Sequence, residues 1–375
     1  MKKIVYVTGS RAEFGLMSQT LKAIDENPNL DLSVIVTGIH LTKEHDSLEV
    51  VEQSGLKIAK VIYPKIDITQ SGANAAIFSG HLIEELTNTF NEIKPDIVLI
   101  EADRYEQLST AIAATHLNIP IFHVSGGDVS KSMDDIIRHS LTKMAHIHLP
   151  GTDESAERII KMGEEPWRVH MVGTPIFKDY ASKEEVEKET NLNLSKETFL
   201  VVQHPVNSQV SESGEQMRQT LEAAESFNKQ IVILYPSGDQ GSKEMIEIIK
   251  EYEQKENFHI FKNLKPAIFM GLLNNISVMI GNSSAALVEA PFFKIPAINI
   301  GIREGGRERA DNIIDAPHEK EKIKEAINKA LSSEFKEVLE NMKNPYASEN
   351  VEKNICEVLE NINLGEELIN KKMTY

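Results

Sequence analysis

Cysteine is nearly absent from this chain: Cys356 is the one thiol in 375 residues. A single cysteine excludes a disulfide framework and any metal centre built on thiolates. Cys356 itself reads as a small apolar residue on a C-terminal helix. Tryptophan is as scarce, with Trp167 alone, and its place after Pro166 suggests packing at the surface of the first half. No apolar run reaches the roughly 18 residues that a transmembrane helix needs. Met1-Lys2-Lys3 followed by Ile4-Val5-Tyr6-Val7 is too short and too soon interrupted for a signal peptide. It reads as a first strand, and a cytoplasmic location is expected. Positive charge is in deficit: 40 basic against 57 acidic residues give a net charge of −17. That argues against nonspecific binding to nucleic acid or to an anionic membrane. It leaves room for an anionic small ligand, because arginines gathered locally decide that case. His146 and His148 alternate on a strand and face one way, but no third ligand is evident. No metal and no cofactor is therefore expected.

What is present is ordinary for a soluble globular protein, with 41% hydrophobic and 26% charged residues. The length suggests two domains. Apolar runs alternate with helical periodicity. Strands are expected at 3–7, 32–37, 58–62 (an edge strand), 97–100, 119–124, 145–149 and 169–172. Helices are expected after Arg11 and over 74–93, 105–116, 134–144 and 155–162. Pro175 interrupts the pattern, and 183–190 is a charged run read, like 334–343, as a solvated face. The alternation then restarts, with strands at 199–203, 231–235, 258–261, 277–280 and 297–300. Helices are expected there over 215–227, 242–253, 265–273, 285–290, 320–331 and 351–362. Such alternation means parallel sheets covered on both faces. The expected architecture is α/β, with two Rossmann-like domains over 1–178 and 190–350 and a C-terminal helical segment, 355–375, packing back on the first. Ligands bind outside the carboxyl ends of such strands, here in a cleft between the domains.

Residues with chemistry sit at those carboxyl ends. Gly281-Asn282-Ser283-Ser284 leaves a strand and opens a short helix, which places hydroxyls and backbone N–H groups where a phosphate would sit. Glu289 follows on the same helix, where a carboxylate can accept from a ribose diol. The next strand runs into a loop carrying Arg303, Arg307 and Arg309. A serine-capped helix beside a solvated loop would account for the same residues. Elsewhere Arg11 and Glu13 follow the first strand at a glycine turn. Asp103-Arg104 ends a strand, either as functional groups or as an ion pair capping the following helix. His123-Val124-Ser125-Gly126-Gly127-Asp128 runs into a diglycine loop. Met133-Asp134-Asp135 begins a helix that carries Arg138, and one of its two aspartates fits an N-terminal cap. Gln203-His204-Pro205 ends the first strand of the second half, where a histidine can donate to a diphosphate.

Taken together, TGSRAEFG, ADR, HVSGGDVS, MDDIIRHSLTKMAHIH, VVQHPV, YPSGDQGSKE, GNSSAALVEAP and NIGIREGGRERADN resemble the blocks of the UDP-N-acetylglucosamine 2-epimerases. The likeness runs over nearly the whole chain and leans to the hydrolysing branch that feeds sialic and legionaminic acid synthesis. It implies a GT-B-type fold with UDP held mainly by the C-terminal domain. It implies Arg11 and Arg104 on the phosphates or sugar, and His204 on the diphosphate. It further implies Ser283 and Ser284 on phosphate, Glu289 on ribose, and Arg303 and Ser237 near the nucleotide. Asp103 and Asp134 match catalytic carboxylates. The implied chemistry is loss of the C2 proton with anti elimination of UDP, then addition of water to the 2-acetamidoglycal, giving N-acetylmannosamine and UDP.

One block departs from the family. The sialic-acid enzymes have HIEGGE where this chain has HVSGGD, so Ser125 replaces a catalytic glutamate and Asp128 matches the second one. Relatives in legionaminic acid pathways also lack that glutamate, which opens UDP-N,N'-diacetylbacillosamine as an alternative substrate. A non-hydrolysing epimerase, a GT-B glycosyltransferase or a non-catalytic UDP-sugar sensor would also fit these blocks. A UDP-sugar is the expected partner, with no nucleic acid, no membrane and a homo-oligomeric state. With arginines and His204 assigned to UDP, activity should survive EDTA; loss that returns with magnesium or zinc would contradict this reading.

Overall fold

The structure, a computed structural model, describes residues 1–43, 46–130 and 134–375. The chain begins β1 (Lys2–Thr8), α1 (Arg11–Asp25), β2 (Leu30–Val36), α2 (Leu48–Glu52), β3 (Ile58–Val61) and α3 (Gly72–Ile93). It goes on through β4 (Ile97–Glu101), α4 (Tyr105–His116), β5 (Ile121–Val124), α5 (Asp134–Met144), β6 (Ile147–Leu149) and α6 (Asp153–Lys161). Then follow α7 (Lys183–Thr190), β7 (Thr198–Val202), α8 (Ser213–Glu225), β8 (Gln230–Leu234), α9 (Ser242–Lys250), β9 (Phe258–Phe261) and α10 (Pro266–Leu273). The last elements are β10 (Val278–Gly281), α11 (Ala285–Val288), β11 (Ala297–Ile300), β12 (Ile313–Ala316), α12 (Lys320–Ala330), α13 (Ser333–Asn341), α14 (Val351–Asn361) and α15 (Glu366–Ile369).

The chain forms two compact units. The first runs to Val129, resumes with α5 to Ile176, and takes in Tyr346–Tyr375; the second comprises Ser130 and Phe177–Pro345. Each has one six-stranded sheet, ordered β3-β2-β1-β4-β5-β6 and β12-β11-β10-β7-β8-β9. All pairings are parallel. Because successive strand residues face opposite ways, each apolar strand feeds two cores. In β1, Ile4 and Tyr6 pack with Phe14, Met17 and Leu21 of α1, whereas Val5 and Val7 pack with Phe78, Leu82 and Leu86 of α3. In β7, Phe199 and Val201 join Met217 and Leu221 of α8, and Leu200 and Val202 join Leu272 and Leu287 on the other face. The two Rossmann-like sheets are those expected from the alternation.

Segment 346–375 is tied to the first unit by both packing and polar contacts. Val351, Ile355, Cys356 and Leu359 of α14 enter the core beside α1. The Lys2 ammonium donates to the carbonyls of Leu359, Glu360 and Ile362 at 2.9, 2.7 and 2.7 Å, so a cation meets the exposed carbonyls of a helix end. Cys356 is buried, as its apolar reading required. Among the described residues no helix is long and apolar enough to cross a membrane.

One local expectation needs correction, and two charged runs prove to be the solvated faces of helices. The stretch 169–172 forms no strand; Val169 makes a single bridge to His148. The charged run 183–190 is helix α7, started by a capping box of Ser182 and Glu185 and anchored by buried Val186 and Thr190. The run 334–343 likewise contains α13, which buries Phe335 and Leu339 while its charges stay outside. Strand β12, which is not among the expected strands, adds an edge beside β11.

At the end of β10, Gly281 has φ 138°, and a Cβ there would lie 2.0 Å from the Val202 carbonyl oxygen of β7. Gly281→Ala should therefore destabilise the protein by at least about 2 kcal/mol, because backbone rather than a flexible side chain must yield. Urea unfolding of the variant checks this; an unchanged midpoint would contradict the close approach.

Candidate active site

In each sheet the strand order reverses once, between β1 and β4 and between β7 and β10. The helices leaving the two adjoining strands go to opposite faces, and a crevice opens at the carboxyl edge. The residues singled out in sequence fall at or beside these two points.

In the first unit, Arg11 opens α1 behind the Ser10 cap. It is half-buried, and loss of water around the guanidinium lowers its pKa to about 10. Arg104 caps α4 from the neighbouring strand end. Its Nε and Nη2 donate to the two carboxylate oxygens of Glu106 at 3.0 and 3.3 Å, and its guanidinium lies 5.5 Å from the Tyr105 ring centre. Glu106 is fully buried, and the carboxyl of Glu13 is buried near it. Glu13 accepts from the Tyr6 hydroxyl at 2.9 Å and from Gln107 Nε2 at 2.9 Å. Burial raises its pKa to about 7; the hydrogen bond from Tyr6 opposes the shift, and the charge of Glu106 adds to it.

The ends of β4 and β5 each turn through a non-glycine residue in the left-handed region, Ala102 at φ 56° and Ser125 at φ 57°. Such backbone persists where neighbours over-determine it. His123 supplies part of that restraint: its Nε2 lies 2.7 Å from the Ala102 carbonyl oxygen. Burial lowers the ring's pKa to about 4, so it is neutral and donates there from Nε2.

Asp103 follows Ala102 and is paired with Arg138 of α5. Arg138, 2% exposed, also bonds the Asp135 carboxylate at 2.7 Å and the Asp128 carbonyl at 3.2 Å. Asp134 stands beside Asp135 in the first turn of α5. Met133, placed by the sequence at the start of that helix, lies outside the described residues. The Asp128 carboxylate accepts from the Ser155 hydroxyl at 2.6 Å and is nearly buried. His146 and His148 are committed elsewhere, His146 Nδ1 to the Ile121 N–H at 3.1 Å and His148 Nε2 to Glu164 at 3.0 Å.

In the second unit, the ends of β11, β10, β7 and β8 lie side by side. His204 follows β7, and its Nδ1 accepts from the Ser237 N–H at 2.9 Å. A neutral His204 therefore carries its proton on Nε2. The Ser237 hydroxyl bonds Asp239 at 2.8 Å. Ser283 and Ser284 follow β10, and the Ser283 hydroxyl accepts from the Ala285 N–H at 3.3 Å.

The helix expected over 285–290 is shorter. It is one turn, Ala285–Val288, and Pro291 passes the chain into a 3₁₀ turn, Ala290–Phe293. A single turn sums few peptide dipoles, so the helix-dipole argument for this point loses most of its weight. Glu289 sits at the C-terminal end of that turn instead, nearly buried, with burial raising its pKa to about 7 against the pull of Arg307.

The loop arginines are tethered rather than solvated. Arg303 bonds Glu304 at 2.5 Å, Arg307 lies 3.5 Å from the same carboxylate, and Arg309 holds Asp315 at 2.9 Å. Sequence reasoning gave no role to Glu106, Arg138, Asn282 or Glu304. The spacing Asp135 to Arg138, one helical turn, was the signal that pointed to Arg138.

Two parallel sheets, each helix-covered on both faces and each reversing strand order once, make this a two-unit α/β protein of GT-B-like fold. The profile of the family described as UDP-N-acetylglucosamine 2-epimerase matches residues 22–360. The chain is 32% identical over 381 residues to the UDP-N,N'-diacetylbacillosamine 2-epimerase (hydrolyzing) of Legionella pneumophila, with all of both chains covered. It is 33% identical over 359 residues to polysialic acid biosynthesis protein P7 of Escherichia coli, covering 93% of this chain and 91% of that one. In fold it resembles the UDP-GlcNAc 2-epimerase of Neisseria meningitidis, solved bound to UDP-GlcNAc, with TM-score 0.79, 18% identity, and 95% and 99% of the two chains covered. The chain belongs to the UDP-N-acetylglucosamine 2-epimerase family, and it is a UDP-sugar 2-epimerase.

The buried carboxyl of Glu13 makes stability depend on pH. Its folded pKa, about 7, lies above its unfolded value, so its contribution is full below about pH 4.5 and is lost as pH rises through 7. Glu13→Gln keeps the shape without the charge. The variant should gain stability relative to wild type between pH 5 and 8, by on the order of 3 kcal/mol. Urea titrations at the two pH values check it; a constant difference would contradict the buried-acid assignment.

Proposed function

We propose that this chain is a hydrolysing 2-epimerase that converts UDP-N-acetylglucosamine and water to N-acetylmannosamine and UDP. The match of the UDP-N-acetylglucosamine 2-epimerase family over residues 22–360 carries this reading for the sugar, and the full-length likeness to a hydrolysing 2-epimerase supports the use of water. Unit 2 holds the nucleotide. Ser283, Ser284 and Arg303 serve the phosphates, Glu289 the ribose, Ser237 the nucleotide edge, and the Nε2–H of His204 donates to the diphosphate as it leaves. Arg11 and Arg104 add positive charge from unit 1, with Arg104 held in place by Glu106.

The reaction asks for a base at a weakly acidic C–H and for stabilisation of a departing diphosphate. One of Asp103 and Asp134 takes the C2 proton, the bond from C1 to the UDP oxygen breaks, and a 2-acetamidoglycal forms. Water then adds its oxygen to C1, and a proton returns to C2 on the opposite face. The net reaction consumes one water and releases UDP. Arg138 supports this by orienting the Asp103 carboxylate. Ser125 and Asp128 shape the sugar side, Ser125 by placing the sugar or a water. The enzyme works in the cytoplasm, as a homo-oligomer.

A second reading, UDP-N,N'-diacetylbacillosamine as substrate, is favoured by the relative just cited and by Ser125 in place of glutamate. The two differ at C4 and C6 of the sugar, not in the chemistry. Incubation with each UDP-sugar alone, followed by NMR, separates them, and a glycosyltransferase would give no new amino sugar without an acceptor. In heavy water the product should carry deuterium at C2, with UDP in equal amount; product without deuterium would mean simple hydrolysis. Asp103→Asn and Asp134→Asn should each lower kcat strongly, by roughly 10²–10⁴-fold for the general base, with UDP affinity little changed. Near-normal turnover in both would sink the carboxylate assignment. Ser125→Glu should shift preference towards UDP-N-acetylglucosamine.

A further inference from the structure

The reversal point of the second sheet contains a buried side chain to which sequence reasoning gave no role. Gly281 lets the end of β10 come close against the end of β7. The next residue, Asn282, is 0% exposed. Its backbone N–H donates to the Val202 carbonyl at 3.2 Å. Its side-chain Oδ1 accepts from the His204 N–H at 2.6 Å, and its Nδ2 donates to the His204 carbonyl at 2.9 Å. The primary amide thus pairs with the backbone of His204 much as a neighbouring strand would, at a place where β7 has ended. The backbone carbonyl of Asn282 accepts from Arg303 Nη1 at 3.0 Å.

We propose that Asn282 is a positioning residue for diphosphate binding and departure, a role that rests on the nucleotide site proposed for unit 2. Its side chain fixes the backbone of His204, and the Ser237 N–H then fixes the ring and its tautomer. Its carbonyl fixes the guanidinium of Arg303. The donor and the cation assigned to the phosphates are therefore placed by one residue. Both halves of the amide are needed. Aspartate would set an acceptor against the His204 carbonyl, and an apolar residue would remove one partner each from the part-buried N–H and C=O of His204.

The test uses the full-length enzyme. UDP affinity is measured by calorimetry, kcat and KM with the UDP-sugar that turns over, and the His204 ring by ¹⁵N NMR, assigned against His204→Gln. Asn282→Ala and Asn282→Asp should each weaken UDP binding roughly ten- to a hundredfold and lower kcat beyond any change in KM. The His204 ring should lose its single Nε2–H signature in both. In the double variant Asn282→Ala with His204→Ala, the losses in kcat should fall well short of multiplying, because one acts through the other. A folded Asn282→Ala with wild-type UDP affinity and kcat, or with fully multiplicative losses, would overturn the proposal. If Asn282→Ala does not fold, Asn282→Ser carries the same comparison. A wild-type His204 protonated on Nδ1 would overturn it without any Asn282 variant. If His204→Ala and Arg303→Ala themselves bind UDP as wild type does, the nucleotide site has failed. If they lose affinity while the Asn282 variants keep it, only the positioning role has failed.

Discussion

In a parallel sheet every strand ends on the same edge, and a sheet that grows from its first strand in both directions must reverse once. At that reversal the two adjoining strands send their helices to opposite faces, and nothing covers the edge between them. The first unit has this point between β1 and β4, the second between β7 and β10. Gly9, Arg11, Glu13, Arg104 and Glu106 gather at the first, and Gly281, Asn282 and His204 at the second. These polar groups sit where the helical layers cannot close.

An open edge also exposes polar backbone and charged side chains to partial burial, and buried partners answer that. Arg138 gathers Asp103, Asp135 and the Asp128 carbonyl on one guanidinium. Asn282 replaces a missing strand beside His204. A planar fork and a primary amide suit these places because each makes several directed bonds from one rigid group. Glu13 and Glu289 answer differently, with burial pushing both carboxyls up to about 7. Acids of that kind are common where a site needs a group close to its titration point.

Much of the fold was legible in the order of residues. The runs 97–100, 105–116 and 258–261 carry their secondary structure in local pattern, because burial on both faces demands unbroken apolar strands and helices demand a 3.6-residue stripe. Strand ends were legible too, and so Arg11, Asp103, Ser125, His204 and Ser283 stand at carboxyl ends. Other features misled. The charged run at α7 hides two buried positions among its lysines and glutamates. The helix after Ser284 stops after one turn, since Pro291, three residues beyond its end, passes the chain into a different backbone.

By itself the sequence determined two α/β units, the position of each candidate residue relative to its strand and, through its blocks, the family. Only the tertiary structure decided which residues those groups lean on: Asp103 on Arg138, 35 positions away, and His204 on Asn282, 78 positions away. Which strands lie side by side is set by packing of the whole sheet, and neither local spacing nor charge carries that information. A residue such as Asn282, alone between a glycine and two serines, meets His204 only when β10 comes to rest against β7.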